Sequence, residues 1–337
     1  MAELPPYTIR EYRPGDEGAI LETFNRVFAA VEEDFTPRSL ESWRWLYLQN
    51  PAGWRIYLAV LEDGTVISQY AGIGQDVLLE GRPARFSQAI DSMTDPAWRG
   101  GLKRPGFFVL TGYPYAENYG GPPPDRDTVM WGLPVPPAWR IGKAYLEYEL
   151  VRTQLKLVAD PARVRLRASG GVSVEESGAF PEEVGALFAR AAGAHGAIAV
   201  RSAEHLAWRF GSHPERRYRI GLARGGDGAL RGYAVYRRGP FDGSEDGLVC
   251  DWLVPAGDGV AAEALRGWLV DCARGDGSER LTAVFPDTCA EWLDFQRAGF
   301  RVQPTRYFLV GRNYVEKYTM NWLYHNWYYT AGDTDLC

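Results

Sequence analysis

The chain has 337 residues, of which 46% are hydrophobic and 24% charged, with a formal net charge of -6. That length exceeds one ordinary core and predicts two domains, and the apolar content is that of a globular protein. The negative charge argues against nucleic acid as the main partner, because phosphate backbones are held by clustered Lys and Arg. Met1-Ala-Glu-Leu-Pro-Pro6 lacks the apolar core of a signal peptide. No apolar run is long enough to span a membrane, so a cytoplasmic protein with no membrane partner is expected. Cys250, Cys272, Cys289 and Cys337 show no metal-ligand spacing, and no metal is expected.

In chain order, residues 7–12 alternate as a strand and Pro14-Gly15-Asp16 breaks it. Ile20, Phe24, Val27, Phe28 and Val31 recur at helical spacing. Pro37-Arg38-Ser39 starts a Trp-rich helix that ends near Asn50-Pro51. Residues 55–61 and 65–73 are strands joined by Asp63-Gly64, a hairpin signal, and residues 77–79 extend the second arm. Glu80 to Pro83 turn into a strand that carries Ile90, Asp91 and Met93, and Asp95-Pro96 stops it.

The loop after that strand holds the densest chemistry. It reads Trp98-Arg-Gly-Gly-Leu-Lys-Arg-Pro-Gly106 before a helix over residues 107–119. Gly100 and Gly101 let the backbone approach a ligand, the free amides of the next helix attract anions, and Arg99, Lys103 and Arg104 add positive charge. The loop suits a pyrophosphate; an ordinary strand-to-helix loop with solvated basic residues is the alternative. Residues 129–133 form a short buried strand, and Pro136-Pro137 opens a helix to about Leu146.

A strand, two helices, three antiparallel strands, a ligand loop with a helix, then a strand and a helix: this layout resembles the GNAT superfamily of acyl-CoA-dependent N-acyltransferases. Asp95-Pro-Ala-Trp-Arg-Gly-Gly101 carries the likeness, although its glycines directly follow Arg99 where the family spaces them as Arg-x-x-Gly-x-Gly.

The second half repeats the first. Shifting by 163 residues matches Arg38 with Arg201, Ser39 with Ser202, Glu41 with Glu204, Trp45 with Trp208, Pro51 with Pro214, Tyr70 with Tyr233 and Ala71 with Ala234. One ungapped register over a helix and a hairpin implies two copies of one plan. Trp292 to Phe300 closely resembles the helix and Gly-Phe turn near the end of GNAT domains. The second copy's loop, Val254 to Val260, has glycines but no Arg or Lys, and its Asp258 would repel a pyrophosphate.

The expected fold is therefore α/β with a mixed sheet, as two tandem GNAT-like domains. Residues 1–155 form the acyl-CoA-binding domain, 156–313 a degenerate copy, and 314–337 an aromatic C-terminal tail. Residues 151–171 read as a connection. The tail either packs on its own domain or carries Asp333 and Asp335 to the acceptor site.

The resemblance implies acetyl-CoA or another acyl-CoA as co-substrate and a small-molecule amine as acceptor; a homo-oligomer stays open. It implies that the amides of Ser92, Met93 and Thr94 bind the thioester oxygen and that Asp91 is the base. A strand-end salt bridge is the other reading of Asp91. The family's acid position falls near Lys143, leaving Tyr145 and Tyr148 as candidate acids or as core aromatics. A catalytically silent acyl-CoA-binding or scaffold protein, and an aminoacyl or long-chain acyl transferase, are the competing functions. His205, His213 and His325 have no spacing for a metal or a triad and read as surface or capping residues.

Overall fold

The computed structural model describes residues 5–31, 35–99, 105–168, 170–242 and 245–337. Strand β1 (Tyr7–Glu11) leads to helix α1 (Glu17–Ala29), whose 3.6-residue periodicity buries Ile20, Leu21, Phe24 and Val27. Val31 lies beyond the helix end and is 63% exposed. Helix α2 (Leu40–Leu46) starts at Ser39, whose Oγ accepts from Ser42 N at 3.1 Å. Strands β2 (Trp54–Leu61) and β3 (Val66–Leu79) form the expected hairpin, with Gly64 left-handed in the turn. Strand β4 (Arg82–Thr94), helix α3 (Phe107–Tyr119), strand β5 (Asp127–Gly132) and helix α4 (Pro136–Tyr145) follow.

Strand β6 (Glu149–Ala159) occupies much of the stretch read as a connection. Its Arg152, Gln154 and Lys156 made it look solvated, but all three are buried. Tyr329 donates to Gln154 Oε1 at 2.9 Å, Lys156 pairs with Asp242 at 2.6 Å, and Arg152 pairs with Asp287. Each of these three buried side chains thus has a polar partner. The chain continues through β7 (Val172–Ser177), α5 (Val184–Ala192), β8 (Ala197–Ala199), α6 (Ala203–Leu206), β9 (Arg219–Gly225) and β10 (Leu230–Pro240). It ends through β11 (Glu245–Leu253), α7 (Gly259–Gly275), β12 (Leu281–Ala283), α8 (Ala290–Arg297), β13 (Arg301–Asn313), α9 (Met320–Asn326) and β14 (Trp327–Tyr328). No helix among the described residues is long and apolar enough to cross a membrane.

Two compact units divide the chain, and neither is one continuous stretch. Unit 1 holds Met1–Asp76, Ala84–Val151 and Phe308–Met320, and unit 2 holds Val77–Pro83, Arg152–Tyr307 and Asn321–Cys337. The sequence boundaries at 155 and 313 therefore fall elsewhere: residues 308–320 return to unit 1, and only 321–337 of the aromatic segment stay with unit 2.

Unit 1 orders its strands β1-β2-β3-β4-β5-β13, with β4 parallel to β5 and β13 antiparallel to β5. Unit 2 orders its strands β6-β12-β11-β10-β9-β7, with β11 parallel to β12 and β6 antiparallel to β12. The plan is repeated, and in each unit the strand beside the parallel pair comes from the other half of the sequence.

Candidate active site

The candidate site lies where β4 leaves β5. Their parallel register runs from Arg85↔Asp127 to Gln88↔Trp131, and β4 then continues to Thr94. Within that extension Asp91 is left-handed, with φ 50°. Among non-glycine residues Asp tolerates this region better than most, and a strand interior is an unusual place for it.

Several groups pin the kink. Gln69 Nε2 donates to Asp91 O at 3.1 Å. The Asp91 carboxylate accepts from Tyr47 OH at 2.8 Å and pairs with Arg38, and its side chain is 6% exposed. The salt-bridge reading of Asp91 is thus realised in the geometry. Further along, Ser68 Oγ donates to Met93 O at 2.8 Å and lies 2.9 Å from Thr94 Oγ1. Asp95 caps the turn over residues 96–98 and pairs with Arg26 at 2.5 Å. Arg99 folds back, its Nε donating to Thr94 O at 2.9 Å. Ser92, Met93, Thr94 and Arg99 are therefore gathered at one strand end. Gly100, Gly101, Lys103 and Arg104 lie outside the described residues. Helix α3 begins at Phe107 with no acid in its first turn.

A second group is aromatic. The hydroxyls of Tyr70 and Tyr148 share a hydrogen bond. The Tyr115 ring lies 4.7 Å from that of Tyr70, tilted by 57°, and Tyr314 OH donates to Met130 Sδ at 3.1 Å. Gly142 makes room for Tyr148, since a Cβ there would lie 2.1 Å from its ring. Burial pushes the Tyr70, Tyr115 and Tyr148 phenols up, so each is a protonated donor at neutral pH. Tyr145 packs against the same core cluster. Tyr70 contacts Phe108 and Tyr115 of α3, whereas the Asp91 carboxylate is held by Arg38 and by Tyr47 at the end of α2. Asp91 and the tyrosine pair thus sit against different helices. Sequence reasoning missed Arg38, Tyr47 and Tyr70 as site neighbours, although the 163-residue repeat had flagged Arg38 and Tyr70.

Unit 2 carries its own version. Ser202 caps α6, accepting from His205 N at 3.1 Å, and Arg201 pairs with Asp251 on β11 at 3.1 Å. Phe210, the counterpart of Tyr47, has no hydroxyl; Tyr233 donates to Asp251 instead, at 2.7 Å. At the start of α7, Asp258 accepts from Ala261 N at 3.1 Å and pairs with Arg231 at 2.6 Å, so a carboxylate already occupies that helix end. Asp333 is buried, 2.6 Å from Arg201, and Gly332 is packed so closely that a Cβ would lie 2.8 Å from Cys250 O.

No family model matches the chain, and none of the curated proteins matches it. Solved structures do. A conserved protein of unknown function from Enterococcus faecalis, described as a probable N-acyltransferase, is 14% identical with a TM-score of 0.67, over 91% of this chain and 73% of that one. A GCN5-related N-acetyltransferase from Anabaena variabilis is 11% identical with a TM-score of 0.63, over 91% and 73%. A tandem GNAT protein from the clavulanic acid biosynthesis pathway is 13% identical with a TM-score of 0.56, over 91% and 98%. The chain has the α/β fold of the GCN5-related N-acetyltransferases, in the tandem form.

Proposed function

We propose that the chain is an acyl-CoA-dependent N-acyltransferase that moves an acetyl or other acyl group to a primary amine of a small molecule, with its chemistry in unit 1. The observation that carries this reading is the parting of β4 from β5 after Gln88 and Trp131, with the left-handed Asp91 just beyond. Gly132 keeps the mouth of that gap narrow-walled, since a Cβ there would lie 3.2 Å from Ala89 O. Gln69 Oε1 is buried at the same strand end and accepts no hydrogen bond among the described residues. These features fit an acyl-CoA, which supplies an activated carbonyl and a thiolate leaving group.

The chain's own residues divide the work. Arg99, Lys103 and Arg104, with Gly100, Gly101 and the first amides of α3, hold phosphate oxygens. The amides of Ser92, Met93 and Thr94 receive the carbonyl oxygen as it gains charge. The neutral amine forms its N–C bond as the C–S bond breaks, the nitrogen gives up a proton to solvent water, and the sulfur takes up one. Tyr148, backed by Tyr70, donates that proton, and Tyr145 packs beside them. Asp91, already holding Arg38 and Tyr47, is a positioning residue that fixes the kink of β4. Unit 2 is the degenerate copy; Asp258 on its α7 and Asp333 against Arg201 support that assignment.

Incubation with acetyl-CoA and a panel of amines, following free thiol, tests the reading. Thiol release that depends on the amine supports it. Acyl-CoA binding by calorimetry with no amine-dependent release would instead support a silent binding protein.

A further inference from the structure

Unit 2 contains a cleft of about 420 Å³ whose charged walls are Arg165, Arg167, Glu263, Arg266, Asp294 and Arg297. Helix α7 supplies Glu263 and Arg266, one turn apart, and α8 supplies Asp294 and Arg297 with the same spacing. The chain at residues 165–167 is fastened across them. Arg165 N donates to Ala298 O at 2.8 Å, and Arg167 N donates to Glu263 Oε1 at 2.5 Å.

Charge is not balanced in this cleft. Arg266 pairs with Glu263 at 2.6 Å, and Arg297 pairs with Asp294 at 3.0 Å. The Arg165 and Arg167 guanidinium groups have no carboxylate partner among the described residues, and both side chains are exposed. Arg266 is buried, 8% exposed, and its Nε–H has no acceptor. A buried donor without a partner is costly and rare in native structures. Two unpaired guanidinium groups, in a cleft with four arginines against two carboxylates, form a receptor for an anion with several oxygens. Arginine's planar fork matches phosphate geometry. The volume lies in the range of small-molecule sites, roughly 300–1,000 Å³.

We propose that this cleft binds a phosphorylated small molecule of nucleotide or sugar-phosphate size. It is separate from the start of α7, where Asp258 already sits; only the coenzyme A controls below rest on the acyltransfer reading.

The test is calorimetry on the full chain at low salt, titrating ADP and inorganic pyrophosphate with coenzyme A held at saturation, and citrate as a carboxylate control. One saturable site that weakens as salt is added is expected. The double substitution Arg165→Ala/Arg167→Ala should lower ADP affinity about tenfold or more, with coenzyme A affinity and circular dichroism unchanged. Absence of saturable ADP and pyrophosphate binding, or binding untouched by the double substitution, overturns the site. Tighter binding of citrate than of ADP overturns the phosphate class. Loss of coenzyme A affinity in the double variant overturns a separate site.

Discussion

Arg201 lies 3.1 Å from Asp251 and repeats the pairing of Arg38 with Asp91, the two arginines lying 163 residues apart and the two aspartates 160. In both units the arginine directly precedes a serine that caps a helix, and the aspartate lies on the strand that runs parallel to its next neighbour. The pair ties a helix start to that strand. A buried ion pair adds little net stability, because desolvation offsets the attraction, but removing one partner leaves an uncompensated charge.

Arg201→Met should be among the most destabilising single substitutions, since it leaves Asp251 and Asp333 buried without their cation. A loss of about 3–5 kcal/mol is expected by urea denaturation. Adding Asp333→Asn should recover part of it. A loss within experimental error would show that the network is hydrated and contributes nothing.

Asp91→Asn separates a positioning role from a base. As a positioning residue, Asp91 fixes the β4 kink, so the variant should raise the KM for acetyl-CoA along with lowering kcat. The acidic limb of the pH–rate profile should stay in place. Loss of that limb with an unchanged KM would make Asp91 the base.

For Tyr148→Phe, removal of a proton donor should lower kcat about a hundredfold or more, within the range for general acids, and leave the KM for acetyl-CoA close to normal. Tyr70→Phe, which removes only the backing hydroxyl, should have a smaller effect. Equal modest losses for both would assign the pair to packing.

Arg99→Ala should weaken coenzyme A binding about tenfold or more, because a hydrogen bond to a charged group contributes roughly 1.5–3 kcal/mol. Arg231→Ala, beside the other unit's Asp258, should leave that affinity unchanged. Equal affinities of wild type and Arg99→Ala in calorimetry would remove Arg99 from the site.

His213 predicts acid sensitivity of unit 2. Its Nδ1 accepts from Glu215 N at 3.1 Å and Arg216 N at 3.0 Å, which requires a deprotonated nitrogen. Burial, with Arg216, Arg209, Arg237 and Arg217 nearby, holds the imidazole down to about 3. An unfolded histidine titrates near 6.5, so between about pH 6.5 and 3 the unfolded chain binds the extra proton. Stability should therefore fall as pH drops through that window. His213→Asn, which keeps an acceptor, should flatten the slope measured by denaturation at pH 7 and 5; an unchanged slope would assign the sensitivity to other groups.

The sequence by itself determined what is local. Apolar spacing placed α1, and Asp63-Gly64 placed the β2–β3 hairpin. The 163-residue register revealed the repeat because equivalent helix caps and core aromatics need the same residue types. It also marked Arg38, without saying what the arginine would meet. Tertiary structure alone decided that Arg38 meets Asp91, 53 positions away, and that Asp333 is buried on Arg201. It also decided that Phe308–Met320 belongs to unit 1. Strand pairing and ion pairing are long-range choices. A stretch such as β6, with alternating Arg152, Gln154 and Lys156, reads as solvated until Asp287, Tyr329 and Asp242 are brought to it from far along the chain.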